Sequence, residues 1–322
     1  MEKLGITLAP FSGIAYPEMV QLAREAEDAG MSGVFIPEAA NDAMMCCYAI
    51  ARGTRRITLG TWIANIYFRE PALCAAAAEM IQSESDGRFI LGLGVSHRPA
   101  LESLGIQMGN ARDRLKHYTA LLRKAFAGEP VGAFGRAFRK PAKPIPIYFA
   151  ALALETVRLG GEIADGLMLY LCSPARTRSS AETAHQAARA AGRKPSDVAI
   201  TVGVPAFIDE NRGRALETAR RALSFYGSLP FYNRLLARSG FETEARTLMA
   251  AAQRRDAAAM AAAVSDAMAD SLALIGPPAR CLERLAEYRA AGAERPIIVP
   301  NQVNEDYPAC VRRGLKVFAA AL

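Results

Sequence analysis

Apolar positions along this chain follow two alternating patterns. Short runs rich in β-branched residues occur at 4–8, 33–37, 57–64, 88–95, 147–151, 166–171, 198–208 and 296–300, and they read as strands. Between them, apolar residues recur at helical spacing over 17–30, 43–52, 71–84, 112–127, 154–164, 175–191 and 277–291, with one more helix after the last strand. The first helix shows the logic. Pro17 takes a first-turn position, Val20, Ala23, Ala26 and Glu27 share a face with Leu22 beside it, and Gly30 supplies the stop. The run RFILGLGV at 88–95 is apolar on both faces, as expected of a parallel strand covered on both sides.

Two segments interrupt the alternation. Residues 128–146, GEPVGAFGRAFRKPAKPIP, form a Gly/Pro/Arg-rich connection. Residues 213–270 read as three or four consecutive helices without a strand, a helical insertion between the seventh and eighth strands. Eight strands alternating with helices imply an α/β fold, a (β/α)8 TIM-type barrel made by a single domain, 1–322, that carries the 213–270 insertion. The competing layout is an open doubly wound sheet. Against it, no strand leads into a G-x-G-x-x-G turn, and GLGVSH from Gly92 has the wrong spacing.

Composition narrows the chemistry. Hydrophobic residues make up 51% of 322, enough for one large core, and the formal net charge is +7. The Arg and Lys residues are scattered along helices with no aromatic interleaving, so the charge reads as a solvated surface with a bias toward anionic ligands, not as a nucleic-acid interface. No apolar run reaches membrane-spanning length and no signal peptide opens the chain, so no membrane partner is expected. Six cysteines lack any C-x-x-C pair, and His97, His117 and His185 are too few for a zinc cluster; no metal is expected, and a reducing cytoplasm fits.

In a barrel of this type, function gathers at the C-terminal ends of the strands. Those ends supply Pro10-Phe11, Pro37-Glu38, Trp62 to Asn65, Gly94 to His97, Ala150 to Ala153, Tyr170 to Ser173, Val204-Pro205 and Pro300-Asn301. The set is mostly apolar, with no metal-ligand group and no Ser-His-Asp series. It suits a planar organic ligand better than a hydrolytic site. The stretch 57–99 contributes two of these ends, ITLGTWIAN and DGRFILGLGVSH, joined by one Ala-rich helix behind Arg69-Glu70-Pro71.

At these residues the chain resembles the luciferase-like monooxygenase superfamily, particularly its branch using the deazaflavin coenzyme F-420. The resemblance rests on order and spacing: Ala26-Glu27 with Gly30, Pro37-Glu38, Thr54 to Thr61, Arg69 and Pro71, Asp86 to Gly94, and Ala164 to Gly166. It implies a homodimeric barrel binding F-420 or FMN at the strand ends, with hydride chemistry there. It further implies a non-prolyl cis peptide behind the ring, falling at Trp62-Ile63, and cofactor contacts from Trp62, Ile63, Ala64, Asn65, Val95, Ser96, Ala150, Ala151, Leu152 and Ala153.

Each candidate has a plainer alternative. Trp62 either backs the ring or caps the barrel core. Ser96 and His97 either meet cofactor or substrate, with His97 as a proton donor, or form a helix cap beside an exposed ring. Glu38 is either a proton relay or a brace paired with Arg69. Asn41 and Asp42 read as caps of the next helix. Two stretches depart from the relatives' pattern. Ala153-Leu154 replaces Gly-Pro where a phosphate approaches a helix N-terminus, and Trp62 replaces Gly. Three functions follow: an F-420 reductase of a small organic C=C, C=N or C=O substrate in specialised metabolism, an FMN-dependent monooxygenase, or a repurposed barrel with no cofactor. Phe225, Tyr226, Phe231 and Tyr232 make the insertion a candidate lid.

Overall fold

The computed structural model describes residues 3–131 and 137–322; the centre of the Gly/Pro/Arg-rich connection, 132–136, lies outside them. The strands are β1 (Gly5–Thr7), β2 (Gly33–Ile36), β3 (Thr58–Thr61), β4 (Ala64–Asn65), β5 (Phe89–Gly94), β6 (Ile147–Ala150), β7 (Gly166–Tyr170), β8 (Ala199–Ile208), β9 (Leu274–Gly276) and β10 (Arg295–Pro300). Every pairing between them is parallel, and β10 pairs with both β8 and β1, which closes the sheet into a barrel. There are eight staves, because β3 and β4 share one and β9 lies outside, against the end of β8. Helices follow the strands and cover the outside. Each stave is therefore buried on both faces, which is why the strand runs are continuous in apolar residues.

Three details differ from the sequence pattern. The third strand is not continuous over 57–64: a cis peptide joins Trp62 to Ile63 and divides it into β3 and β4. Gly60 is opposite Ile90 and Ala64 opposite Leu93, so three residues face two and the stave carries a bulge. The 213–270 stretch holds five helices rather than three or four: Arg212–Gly227, Pro230–Arg238, Glu242–Gln253, Ala257–Ala262 and Asp266–Leu272. The side chains of Asp256 and Ser265 accept from Ala259 N at 2.9 Å and Met268 N at 3.2 Å, and these caps cut the Ala-rich tract into separate pieces. A short helix, Arg98–Ser103, also follows β5, with Pro99 in its first turn.

Large side chains facing small ones fill the lumen. Phe35, Ile90, Tyr148, Met168 and Ile297 form its core, with Trp62 and Ile63 packed on top. A Cβ built on Gly33 or Gly60 would sit 2.8 or 3.0 Å from the Phe35 ring, and one on Gly203 would sit 2.6 Å from Cζ2 of Trp62. Glycine at these points gives the bulky partner its space.

Polar residues staple the lower rim. The Arg88 guanidinium donates to Ser85 O, Thr54 Oγ1, Ile57 O, Ala51 O and Thr54 O at 2.7–3.1 Å. The Glu27 carboxylate accepts from the backbone N–H groups of Arg55, Arg56 and Ile57 at the start of the third stave. Burial pushes the Glu27 pKa up, but those three backbone donors outweigh it and hold the acid below its usual range. Asp165 Oδ2 accepts from Ile147 N at 2.7 Å and from Arg123 at 2.6 Å, tying β6 to the turn before β7. All six cysteines are free and buried. Among the described residues, no helix is long and apolar enough to cross a membrane, and no three His, Cys, Asp or Glu side chains gather as a metal site.

Candidate active site

The upper rim holds two pockets that share Ile63, Ala150, Met168, Tyr170 and Tyr232 and so form one mouth. The inner pocket encloses about 310 Å³ above the lumen, between Thr7, Phe11, Trp62, Asn301 and Tyr226. The side pocket encloses about 180 Å³ and runs past Gly94, Val95, Ser96 and His97 to Ala151, Leu152, Ala153 and Thr156.

The β3–β4 bulge builds the floor. Trp62 turns its indole into the top of the lumen, edge-on to Phe35 with centroids 6.0 Å apart and directly over Gly203, while its exposed face lines the inner pocket. It thus caps the barrel core and floors the mouth at once, and the indole does not stand in the side pocket. Ile63 packs down on Gly94, where a Cβ would come within 2.5 Å of its Cγ1, and lines both pockets.

The side pocket ends at a helix N-terminus. Ala153 is the N-cap of the helix Leu154–Ile163 and makes no side-chain cap bond, so first-turn N–H groups face the pocket end. Its φ of −86° and ψ of 145° are ordinary extended values, so alanine stands there without backbone strain. Arg176 reaches the same loop, donating Nη2 to Leu152 O at 2.8 Å, and its Nε is buried without a partner. Ser96 takes a left-handed φ of 57° at the end of β5 and does not cap the following helix; the N-cap is His97, which also makes no side-chain cap bond. Burial lowers the His97 pKa from 6.5, so the half-buried imidazole is neutral at pH 7.

Three expected residues are not brought to the mouth. The Glu38 side chain, 3% exposed, accepts from Asn65 N at 2.8 Å and Ala43 N at 3.3 Å and pairs with Arg69 at 2.6 Å. Both its oxygens are engaged, and the bracing alternative describes its geometry. Arg69 also pairs with Asp42 at 2.6 Å, while Asp42 caps its helix through Met45 N. Asn41 does not cap; its amide donates to Pro37 O instead. Ala64 and Asn65 are 2% and 4% exposed and line neither pocket. The bulge explains this: Trp62 and Ile63 take the inward positions, Ala64 and Asn65 pair with β5, and Asn65 Oδ1 accepts from Tyr67 N.

Tyr170, Met168, Asn301 and Tyr307 line the mouth without having been singled out as site residues. Tyr170 and Asn301 stand at strand ends, which was the available signal. Three rings from distant segments meet there. Tyr170, Tyr226 and Tyr232 have centroids 5.3–6.2 Å apart and planes 72–85° to one another. Phe231 joins the side pocket, whereas Phe225 is 60% exposed and lines neither. Burial, and then the Tyr226 hydroxyl beside it, keeps the Tyr170 phenol un-ionised.

These features define a (β/α)8 barrel with an uncharged, aromatic ligand mouth at the carboxyl ends of its strands. The luciferase-like monooxygenase family matches residues 4–295, and the chain belongs to it. A 5,10-methylenetetrahydromethanopterin reductase of Methanolobus tindarius is 27% identical over 303 residues, covering 89% of this chain and 91% of the relative. The structure of a coenzyme F-420-dependent tetrahydromethanopterin reductase from Methanopyrus kandleri superposes with a TM-score of 0.83 at 20% identity, over 99% of this chain and 97% of the other. The FMN-bound oxygenating constituent of a Pseudomonas putida diketocamphane monooxygenase superposes at 0.69 with 18% identity, over 99% and 97%.

Proposed function

We propose that this protein is an oxidoreductase that moves a hydride between coenzyme F-420 and a small organic substrate bearing a C=C, C=N or C=O bond. The observation that carries this reading is the two-part mouth, whose side pocket leads from an uncapped helix N-terminus to the Ile63 bulge and opens there into a second, aromatic pocket. The family match and the reductase names of the relatives support it.

The residues present fit the cofactor. The N-terminus at Ala153 suits a phosphate, with the neighbouring Arg176 adding positive charge. Val95, Ser96 and Leu152 would flank the chain that joins phosphate to ring, and Ile63 would back the ring. When bound, the deazaflavin supplies the hydride. The protein's own share is to orient the substrate against Ile63, exclude water with Tyr226 and Tyr232, and offer a hydrogen bond from the neutral His97 imidazole. Glu38 acts as a positioning residue that holds Asn65 behind the bulge.

The helices between β8 and β9 serve as a lid in this reading, because Tyr226, Phe231 and Tyr232 project from them into the mouth. The chain pairs as a homodimer through exposed Met45, Leu73 and Met80 on adjacent helices, away from any pocket described above. Six unpaired, buried thiols suit a reducing cytoplasm.

The test is anaerobic. Reduced F-420 and a panel of unsaturated carbonyl compounds and imines should react with catalytic oxidation of F-420 in the absence of oxygen. Turnover only with reduced FMN and oxygen would favour the monooxygenase alternative, to which the fold likeness with the FMN-bound enzyme lends support.

A further inference from the structure

We infer that the inner pocket selects neutral, flat ring compounds and rejects molecules whose entering part carries a carboxylate or phosphate. The inference rests on the reading of the mouth as a substrate site and names the class of substrate that site accepts.

No Asp, Glu, Lys, Arg or His side chain is among the described residues that line the inner pocket, although the chain as a whole carries +7. Acidic groups close in sequence to lining or strand-end residues are committed to arginines. Glu38 and Asp42 pair with Arg69, Glu305 pairs with Arg313 at 2.8 Å, and Asp209 pairs with Arg214 at 2.8 Å. Arg176 is turned to Leu152 O on the side-pocket wall. An anionic substituent entering the inner pocket would leave water and meet no cation, which is unfavourable.

Polar groups at the pocket are also largely committed. Tyr307 accepts from Ala9 N at 2.8 Å, the Asn301 amide donates to Val299 O at 2.9 Å, and the Gln302 amide donates to Glu305 O at 3.2 Å. Beside the hydroxyl residues Thr7 and Ser12, the space is faced largely by apolar and aromatic surface. Trp62 forms the floor, and the three tyrosines, nearly perpendicular to one another, form a corner. A flat ring can lie against one of these planes and meet the edges of the others. At about 310 Å³ the space is at the small end of ligand pockets, matching a molecule of one or two rings.

The chain offers its own reporter, because its single tryptophan is Trp62. The full chain is titrated, while Trp62 emission is followed, with three one-ring probes of equal size: benzamide, benzoate and benzylamine. Benzamide should produce a saturable change with a Kd at least about tenfold below that of benzoate. Benzoate binding as tightly as benzamide, or benzylamine binding tightest, would overturn the inference. Gln302→Lys, at an exposed wall position, places a cation at the pocket and should bring benzoate to within about twofold of benzamide. Unchanged benzoate affinity in that variant would also count against it. Adding F-420 separately keeps the two readings apart. Neutral-probe selectivity without F-420 binding would sink the oxidoreductase reading alone, and F-420 binding without selectivity would sink this inference alone.

Discussion

The two rims of the barrel handle polar groups in opposite ways. At the lower rim, Glu27, Arg88 and Asp165 direct charged atoms onto backbone N–H and carbonyl groups that the strand and helix ends leave open. At the upper rim, charged side chains are held out of the inner pocket, and the space is walled by Trp62, tyrosines and small residues, with an uncapped helix N-terminus in the side pocket. Residues singled out in the sequence divide along the same line. Ala26-Glu27, Asp86 to Phe89 and Ala164 to Gly166 hold the lower rim, whereas Trp62-Ile63, Ser96-His97 and Ala150 to Ala153 shape the mouth. Stability and chemistry are thus built at opposite ends of the same strands.

The largest expected effect would separate the two rims. Arg88→Ala leaves several carbonyls without their donor and should cost about 2–4 kcal/mol of stability, read as a lower denaturation midpoint at unchanged m-value. Any variant that remains folded should bind its ligands normally; a loss of affinity without a loss of stability would blur the division. Gly203→Ala acts from the other end. Its Cβ would stand 2.6 Å from the Trp62 ring, so the floor of the mouth must shift. About tenfold weaker ligand binding is expected, with a stability cost of about 1–3 kcal/mol and a shifted Trp62 emission. Because Trp62 forms the floor and leaves the side pocket open, Trp62→Gly should likewise weaken cofactor binding; tighter binding would mean that the indole obstructs the ring.

Smaller effects sharpen the comparison. Glu38→Gln retains the shape but weakens the links to Arg69 and Asn65, for about 1–2 kcal/mol of stability. As a positioning residue it should lower kcat while leaving the pH profile unmoved; a lost pH limb would make it a proton relay instead. His97 sets the smallest shift. Burial lowers its pKa below 6.5, so the ring is neutral above that pH and takes up a proton only below it. Activity that uses the neutral ring should therefore be level above about pH 6.5 and fall in more acidic solution. His97→Asn should abolish that acidic limb, and activity rising on acidification would assign the imidazolium as the acid.

The barrel was legible in the chain because every stave is covered on both faces and so must be apolar throughout, and because Pro and Gly punctuate the helices between. The position of the cis peptide was legible by resemblance, but its consequence was not. A strand pattern counts alternation, and the extra residue at Trp62-Ile63 changes which side chains point inward, so Ala64 and Asn65 leave the mouth. Glu38 was readable as an acid at a strand end, yet only its distance to Arg69 and Asn65 decides between brace and relay. The tyrosine corner joins Tyr170 to Tyr226 and Tyr232 across more than fifty residues, a contact that no local spacing encodes. Arg88 belongs to a recognisable run, but its role depends on loop carbonyls converging from before the third strand.

The proposed function makes the mouth a deazaflavin site joined to a substrate pocket. Equilibrium titration of the full chain with F-420 and with FMN, followed by cofactor absorbance and fluorescence, tests it most directly. Saturable F-420 binding is expected, with a Kd about tenfold or more below that of FMN and weakened in Gly203→Ala. Binding of neither cofactor, or tighter binding of FMN, would contradict it.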